Sequence, residues 1–190
     1  NNLTTLDLSN CTHLKNLSCG HNQLTSLDVS QNTALTDLSC EYNQLTSLDL
    51  SNNTALEVLN CSDNQLASLD LSNNTALTDL YTYRNKYEIT LTGKTFDLST
   101  LPTGFDISKA SEWTNATVEG NILTIEDITK KVTYTYNCGL GFSDTFALVP
   151  QIAETPAETT TAPKTTTTAT TTTTTAKEEI TGLEINETNF

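Results

Sequence analysis

The sequence predicts an all-β protein: a β-solenoid of about four 21-residue coils, a small antiparallel β cap behind it, and a disordered Thr-rich tail. Three observations predict it. First, Asn1, Asn22, Asn43, Asn64 and Asn85 superimpose on a shift of 21 residues, as do Leu6, Leu27, Leu48 and Leu69, and Leu17, Leu38, Leu59 and Leu80. A fixed period of about 20–50 residues is the signature of stacked coils. Second, the period fails after Asn85 and gives way to alternating β patterns broken by Gly and Pro. Third, 14 of the 24 residues from Glu154 to Lys177 are Thr and none is aliphatic beyond Ala, so that stretch has nothing with which to form a core. The expected segments are therefore a solenoid at 1–86, a capping module at 87–150, a linker at 151–177 and the start of a further domain at 178–190.

Within one coil the pattern runs twice. Leu24-Thr-Ser-Leu27-Asp-Val29-Ser-Gln-Asn32 has the form LxxLxLxxN, and Leu35-Thr-Asp-Leu38-Ser-Cys40-Glu-Tyr-Asn43 repeats it with Cys in the third apolar place. Period-two triplets such as Leu-Ser-Cys and Leu-Asp-Leu aim their first and third side chains to one side, so each is expected to be a short strand with two residues inward. One coil cannot stand alone, because its neighbours supply both the inter-coil hydrogen bonds and half of every contact. These residues resemble the leucine-rich repeats, specifically the 21-residue bacterial class called IRREKO, over roughly residues 1–86. The resemblance implies a parallel solenoid whose LxxLxLxxN strand faces the concave surface where ligands usually dock.

Three kinds of polar or reactive column follow from the period. Asn22, Asn43 and Asn64, and likewise Asn32, Asn53 and Asn74, recur at tight bends, where a buried amide can satisfy backbone groups that the turn leaves unpaired. Cys19, Cys40 and Cys61 share an inward column, and Thr82 takes their place in the next coil. Packing as small apolar groups is the expected role; their spacing would just permit a bridge, whereas zinc would want CxxC pairs or nearby His. Asp7, Asp28, Asp49 and Asp70 form the third column. Adjacent carboxylates about 4.8 Å apart repel by roughly 1 kcal/mol in water, and flanking hydroxyls or a calcium ion would offset that.

Composition excludes several functions. A net charge of −14 and a sequence pI near 4.2 oppose nucleic acid and anionic lipid, which need Lys and Arg in patches. No run approaches the 18 or so apolar residues of a membrane span. No carboxylate is set beside a His, Cys or Ser in the manner of an acid–base pair, so no catalytic residues, metal or cofactor are expected and the protein is read as a non-enzyme. With no Met and a start inside a repeat, the chain is expected to be a piece of a longer protein, monomeric in itself.

Because the repeats align with one another, constancy and variation are visible within the one chain. The Leu-Thr-Ser-Leu-Asp-Leu-Ser half hardly varies, but the other half carries Ser18, Gly20 and His21, then Ser39, Glu41 and Tyr42, then Asn60, Ser62 and Asp63, then Tyr81, Tyr83 and Arg84 at places expected to be exposed. Variation is what a binding face would show; surface drift would show it too. Tyr and Arg often dominate binding energy. The candidate ligand face is thus Tyr81, Tyr83 and Arg84, with Tyr42, Glu41 and Asp63 farther along, and the rival is that the cap buries them.

In the cap the expected strands are Phe96–Leu98, Thr117–Ile125 folded at Gly120-Asn121, Lys131–Tyr136 and Thr145–Val149, with a turn at Pro102–Gly104. Phe96–Pro102 and Val132–Gly139 resemble the β-rich module that follows such repeats in secreted proteins of gut Firmicutes. Its expected job is to cover the last coil and remove an open sheet edge. Trp113, the only tryptophan, is either a core anchor or a sugar-stacking platform. The whole reads as an extracellular or cell-surface scaffold of a bacterium that binds a protein or glycan ligand. A carbohydrate-binding accessory of a polysaccharide-degrading protein, or a plain stalk, are the alternatives.

Overall fold

Residues 1–153 are described by a computed structural model; the expected linker and further domain lie outside the described residues. In the first half, β1 (Asn16–Ser18), β2 (Asp37–Ser39), β3 (Val58–Asn60) and β4 (Asp79–Tyr81) form one parallel sheet in chain order. Their register is that of the period: Leu17, Leu38, Leu59 and Leu80 stand side by side. Leu38 and Leu59 are buried with Leu24, Leu35, Leu45, Leu56 and Leu66 in one continuous core.

The asparagines hold the bends. Asn43 Oδ1 accepts the Leu24 N–H at 3.0 Å, and its Nδ2 donates to the carbonyls of Cys19 and Cys40 at 3.1 and 3.0 Å. Asn64 repeats this one coil on, with Leu45, Cys40 and Cys61. At the opposite bend Asn53 Nδ2 donates to the Val29 and Asn32 carbonyls, both at 3.0 Å. Each amide thereby supplies partners for backbone that no ladder reaches.

The Leu-Asp-Leu triplets are not strands. Asp28 Oδ1 instead accepts the Ser30 N–H at 2.9 Å, and Asp7, Asp49 and Asp70 do the same with Ser9, Ser51 and Ser72. A short carboxylate side chain that captures the donor two residues on competes with sheet pairing. Those bonds hold the four carboxyls below the ordinary Asp value, which is how the column tolerates its own charge.

After β4 the chain builds two further sheets. β5 (Lys86–Leu91), β11 (Phe142–Ile152), β10 (Val132–Gly139) and β7 (Ala110–Thr114) form one; β6 (Thr95–Asp97), β9 (Ile122–Ile125) and β8 (Ala116–Glu119) form the other. The hairpin at Gly120-Asn121 is where the sequence puts it, with Gly120 at φ 57°. Two features depart from expectation: β5 and β11 pair in parallel, inside an otherwise antiparallel module, and β7 had no legible strand pattern. The parallel pair arises because β11 enters as the successor of the last coil, with the Ala147 N–H donating to the Asn85 carbonyl at 3.2 Å.

The cap closes the core beneath the fourth coil. Leu71 N–H donates to the Cys138 carbonyl at 2.8 Å and the buried Tyr134 hydroxyl donates to the Ala67 carbonyl. Trp113 stacks on Tyr134 with ring centroids 4.5 Å apart and packs against the core, as an anchor does. The expectation that the cap removes the open sheet edge is not met: β4 ends its sheet with no strand beyond it among the described residues. Leu80 is correspondingly only half-buried, where Leu59 is fully covered.

Candidate functional site

One column of the solenoid has a left-handed backbone, which His and Asp adopt more readily than Tyr and Arg. His21, Tyr42, Asp63 and Arg84, each just before a bend asparagine, have φ of 55°, 52°, 54° and 62°. For residues with a Cβ the left-handed region costs roughly 1–2 kcal/mol, and Gly escapes it. None of the four coils uses Gly here. Such retained strain points toward function when it recurs at a surface.

The four side chains form a ladder across the coils. His21 and Tyr42 stack at 4.3 Å with rings inclined by 17°. Arg84 Nε and Nη2 donate to Asp63 Oδ1 and Oδ2 at 2.7 and 2.6 Å, and Nη2 also donates to the Tyr42 hydroxyl at 2.9 Å. The guanidinium lies 4.9 Å from the Tyr83 ring and 5.9 Å from that of Tyr42, within cation–π reach. Arg84 lowers the pKa of Asp63 by its hydrogen bonds, and Asp63 raises that of Arg84. Both Tyr rings remain open to solvent, at 44% and 46%, so the cap does not bury them. Beside the ladder runs a recess of about 450 Å³ lined by Gln44, Gln65 and Lys86 together with Tyr42, Asp63 and Arg84.

Of the six candidate residues, then, Tyr42, Asp63, Tyr83 and Arg84 come together. Tyr81 and Glu41 stand apart. Tyr81 is 46% exposed at the end of β4 and lines a separate recess of about 540 Å³ with Asp37, Ser39, Val58 and Asn60, while Glu41 accepts a hydrogen bond from the Ser39 hydroxyl at 2.7 Å. His21 belongs to the ladder although its residue type alone did not single it out; its place before Asn22 was the available signal.

Ser62 is a correction. Expected at the surface, it is 1% exposed, because the next coil lies over it. The same closeness shows at Gly20, where a Cβ would lie 3.1 Å from the Glu41 carbonyl oxygen and nearer still to its carboxylate.

The cysteine column is inward: Cys19 is 5% exposed, Cys40 and Cys61 not at all. Burial raises the Cys19 pKa to about 11 and that of Cys138 to about 12, and pushes Cys40 and Cys61 well up as well. All five thiols are free, and only Cys11 is exposed. Among the described residues no group of three His, Cys, Asp or Glu able to hold a metal occurs, and none of their helices is long and apolar enough to cross a membrane.

No family model and no curated protein matches the chain. Among solved structures it is similar to the functional domain of InlJ from Listeria monocytogenes, described as including a cysteine ladder. Sequence identity is 23% and the TM-score 0.55, over 78% of this chain and 36% of that one. The fold is a leucine-rich repeat solenoid. The likeness goes no further than the fold, since the chain spans little more than a third of its neighbour's length.

Proposed function

We propose that this chain is a protein-binding scaffold, extracellular or at the surface of a bacterium, and not an enzyme. Residues 1–86 present the binding face and residues 87–150 close the core behind it. The observation that carries this reading is the ladder of His21, Tyr42, Asp63 and Arg84, strained in backbone and joined side chain to side chain on the surface. The left-handed backbone belongs to the bend of every coil, but the side-chain contacts between the coils lie on the surface, outside the core. Tyr42, Tyr83 and Arg84 supply rigid rings and a planar cation, the groups that most often anchor an interface. Tyr81, Glu41 and the nearby Asp37 extend the face toward the β1–β4 sheet.

The test immobilises the full chain and a Tyr42→Ala/Tyr83→Ala/Arg84→Ala variant, and offers each the same panel of purified extracellular protein domains beside a glycan array. A protein domain bound by the chain and lost from the variant, at unchanged melting temperature, supports the reading. Binding confined to glycans, or protein binding that the variant retains, overturns it.

A further inference from the structure

The open edge of β4 carries the next inference. In each of the first three coils the carbonyl before the sheet strand receives two N–H groups from the following coil: Lys15 from Thr36 and Asp37, Thr36 from Glu57 and Val58, Glu57 from Thr78 and Asp79, at 2.8–3.2 Å. The Thr78 carbonyl, next in this series, receives none among the described residues. Among the described residues β4 has a paired strand only on its β3 side, and Leu80 and Tyr81 stand partly or fully exposed beside it. A bare edge of this kind is a template for another chain.

Its charges say what would fit. Asp79, at the start of the edge, is exposed and takes part in no ion pair among the described residues, its only bond coming from the Thr78 hydroxyl at 2.8 Å. At the far end the edge stops at Thr82, which is buried and hydrogen-bonded to Asp144 of β11. Beyond it lies a recess of about 240 Å³ lined by Lys86 and Lys131, neither of them in an ion pair among the described residues, by Arg84, which is paired with Asp63, and by Asp144, so that its lining carries a net positive charge. The edge thus runs from negative to positive.

We propose that β4 is a strand-addition site for an extended segment of a partner protein, bound parallel to β4, with a Lys or Arg against Asp79, an aliphatic residue over Leu80, and a carboxylate reaching the Lys86–Lys131 recess. The segment continues the solenoid by one strand. Main-chain hydrogen bonds give the affinity and the alternate side chains the selectivity, as in other β-augmentations. Opposite charges facing each other across strands favour this register, and like charges oppose it. The site adjoins the ladder, since Tyr83 and Arg84 also line the Lys86–Lys131 recess, but its edge, Thr78 to Tyr81, lies outside it.

The probe is a fluorescent nine-residue peptide copying Leu35–Asn43, with lysine in the place of Asp37 and valine in that of Cys40, titrated into the full chain by anisotropy. Saturable binding with Kd below about 1 mM is expected, lost when the lysine's backbone amide is N-methylated. Restoring aspartate in the peptide weakens binding by about fivefold, and Asp79→Lys in the chain reverses that preference. The readouts here are the charge at Asp79 and the peptide's backbone amide, neither of which belongs to the ladder, so this proposal and the ladder reading fail separately. Absence of binding, indifference to N-methylation, or no reversal by Asp79→Lys overturns the proposal. So does self-association of the chain alone that Asp79→Lys abolishes, which would give the edge to a second copy.

Discussion

Arg84 grips Asp63 with two parallel hydrogen bonds of 2.7 and 2.6 Å across one step of the solenoid, from the same position in consecutive coils. Arg84 is open to water at 54% side-chain exposure while Asp63 is partly covered at 19%, so solvent reaches the pair from the Arg84 side and screens it, and its contribution to stability is small. Its consequence is positional: it fixes the guanidinium against Tyr42 and Tyr83. Arg84→Ala should leave the melting temperature essentially unchanged while shifting the ring resonances of both tyrosines in NMR spectra. A large drop in melting temperature would make the ladder a structural brace.

The bend asparagines should behave in the opposite way. Asn64 is buried and serves Leu45, Cys40, Cys61 and Ser62 at 3.0–3.3 Å. Asn64→Ala strands several buried backbone groups at about 1–3 kcal/mol each, so a loss of roughly 3–5 kcal/mol in urea unfolding is expected. Asn52, exposed one residue from the buried Asn53, serves as the control and should tolerate alanine.

Thiol chemistry gives a count. At pH 8 in the native state, a thiol reagent should label Cys11 within seconds and Cys19, Cys40, Cys61 and Cys138 only slowly, since burial raises all four and the thiolate is the reactive form. In 6 M or so of denaturant all five react together. Two or more fast native thiols would mean that the column opens.

The cap is docked partly through the Tyr134 hydroxyl on the Ala67 carbonyl. Tyr134→Phe keeps the ring and removes that bond, leaving the Ala67 carbonyl buried and unpaired, and should cost about 1–3 kcal/mol. Tyr134→Ala removes a fully buried ring and should cost about 3–5 kcal/mol. Equal effects from the two would mean that the hydroxyl alone holds the module.

Acid should destabilise the fold through its turns. Asp7, Asp28, Asp49, Asp70, Asp97 and Asp106 are held below 3.8, and Asp127 at about 2, chiefly by bonds from the Ser or Thr two residues on. A lowered folded-state value means that the unfolded chain binds protons first as pH falls, so this stability is present above pH 4 or so and drains away toward pH 2. Melting temperature should therefore fall steadily over that window. Asp127→Asn should flatten the lower end of the decline.

What the sequence determined by itself is whatever the period enforces. Repetition every 21 residues leaves one way to stack the coils, so Leu38 over Leu59, the inward cysteines and the asparagine bends could be assigned without coordinates, and the exposed aromatics and Arg84 stood out by departing from their columns. Tertiary structure decided whatever depends on two distant segments or on a competition between local bonds. The Leu-Asp-Leu triplets have strand alternation, but the Asp carboxylate reaches the Ser N–H two residues on before a neighbouring coil can. Ser62 follows the exposed pattern, yet it is 1% exposed while Tyr83, before the same left-handed turn one coil on, is 46% exposed, because Ser62 has a further coil over it. The ladder's contacts needed the rotamers of four coils at once. And the cap met the solenoid at Ala67, Leu71 and Asn85 rather than along β4, contacts between segments far apart in sequence that no local pattern reveals.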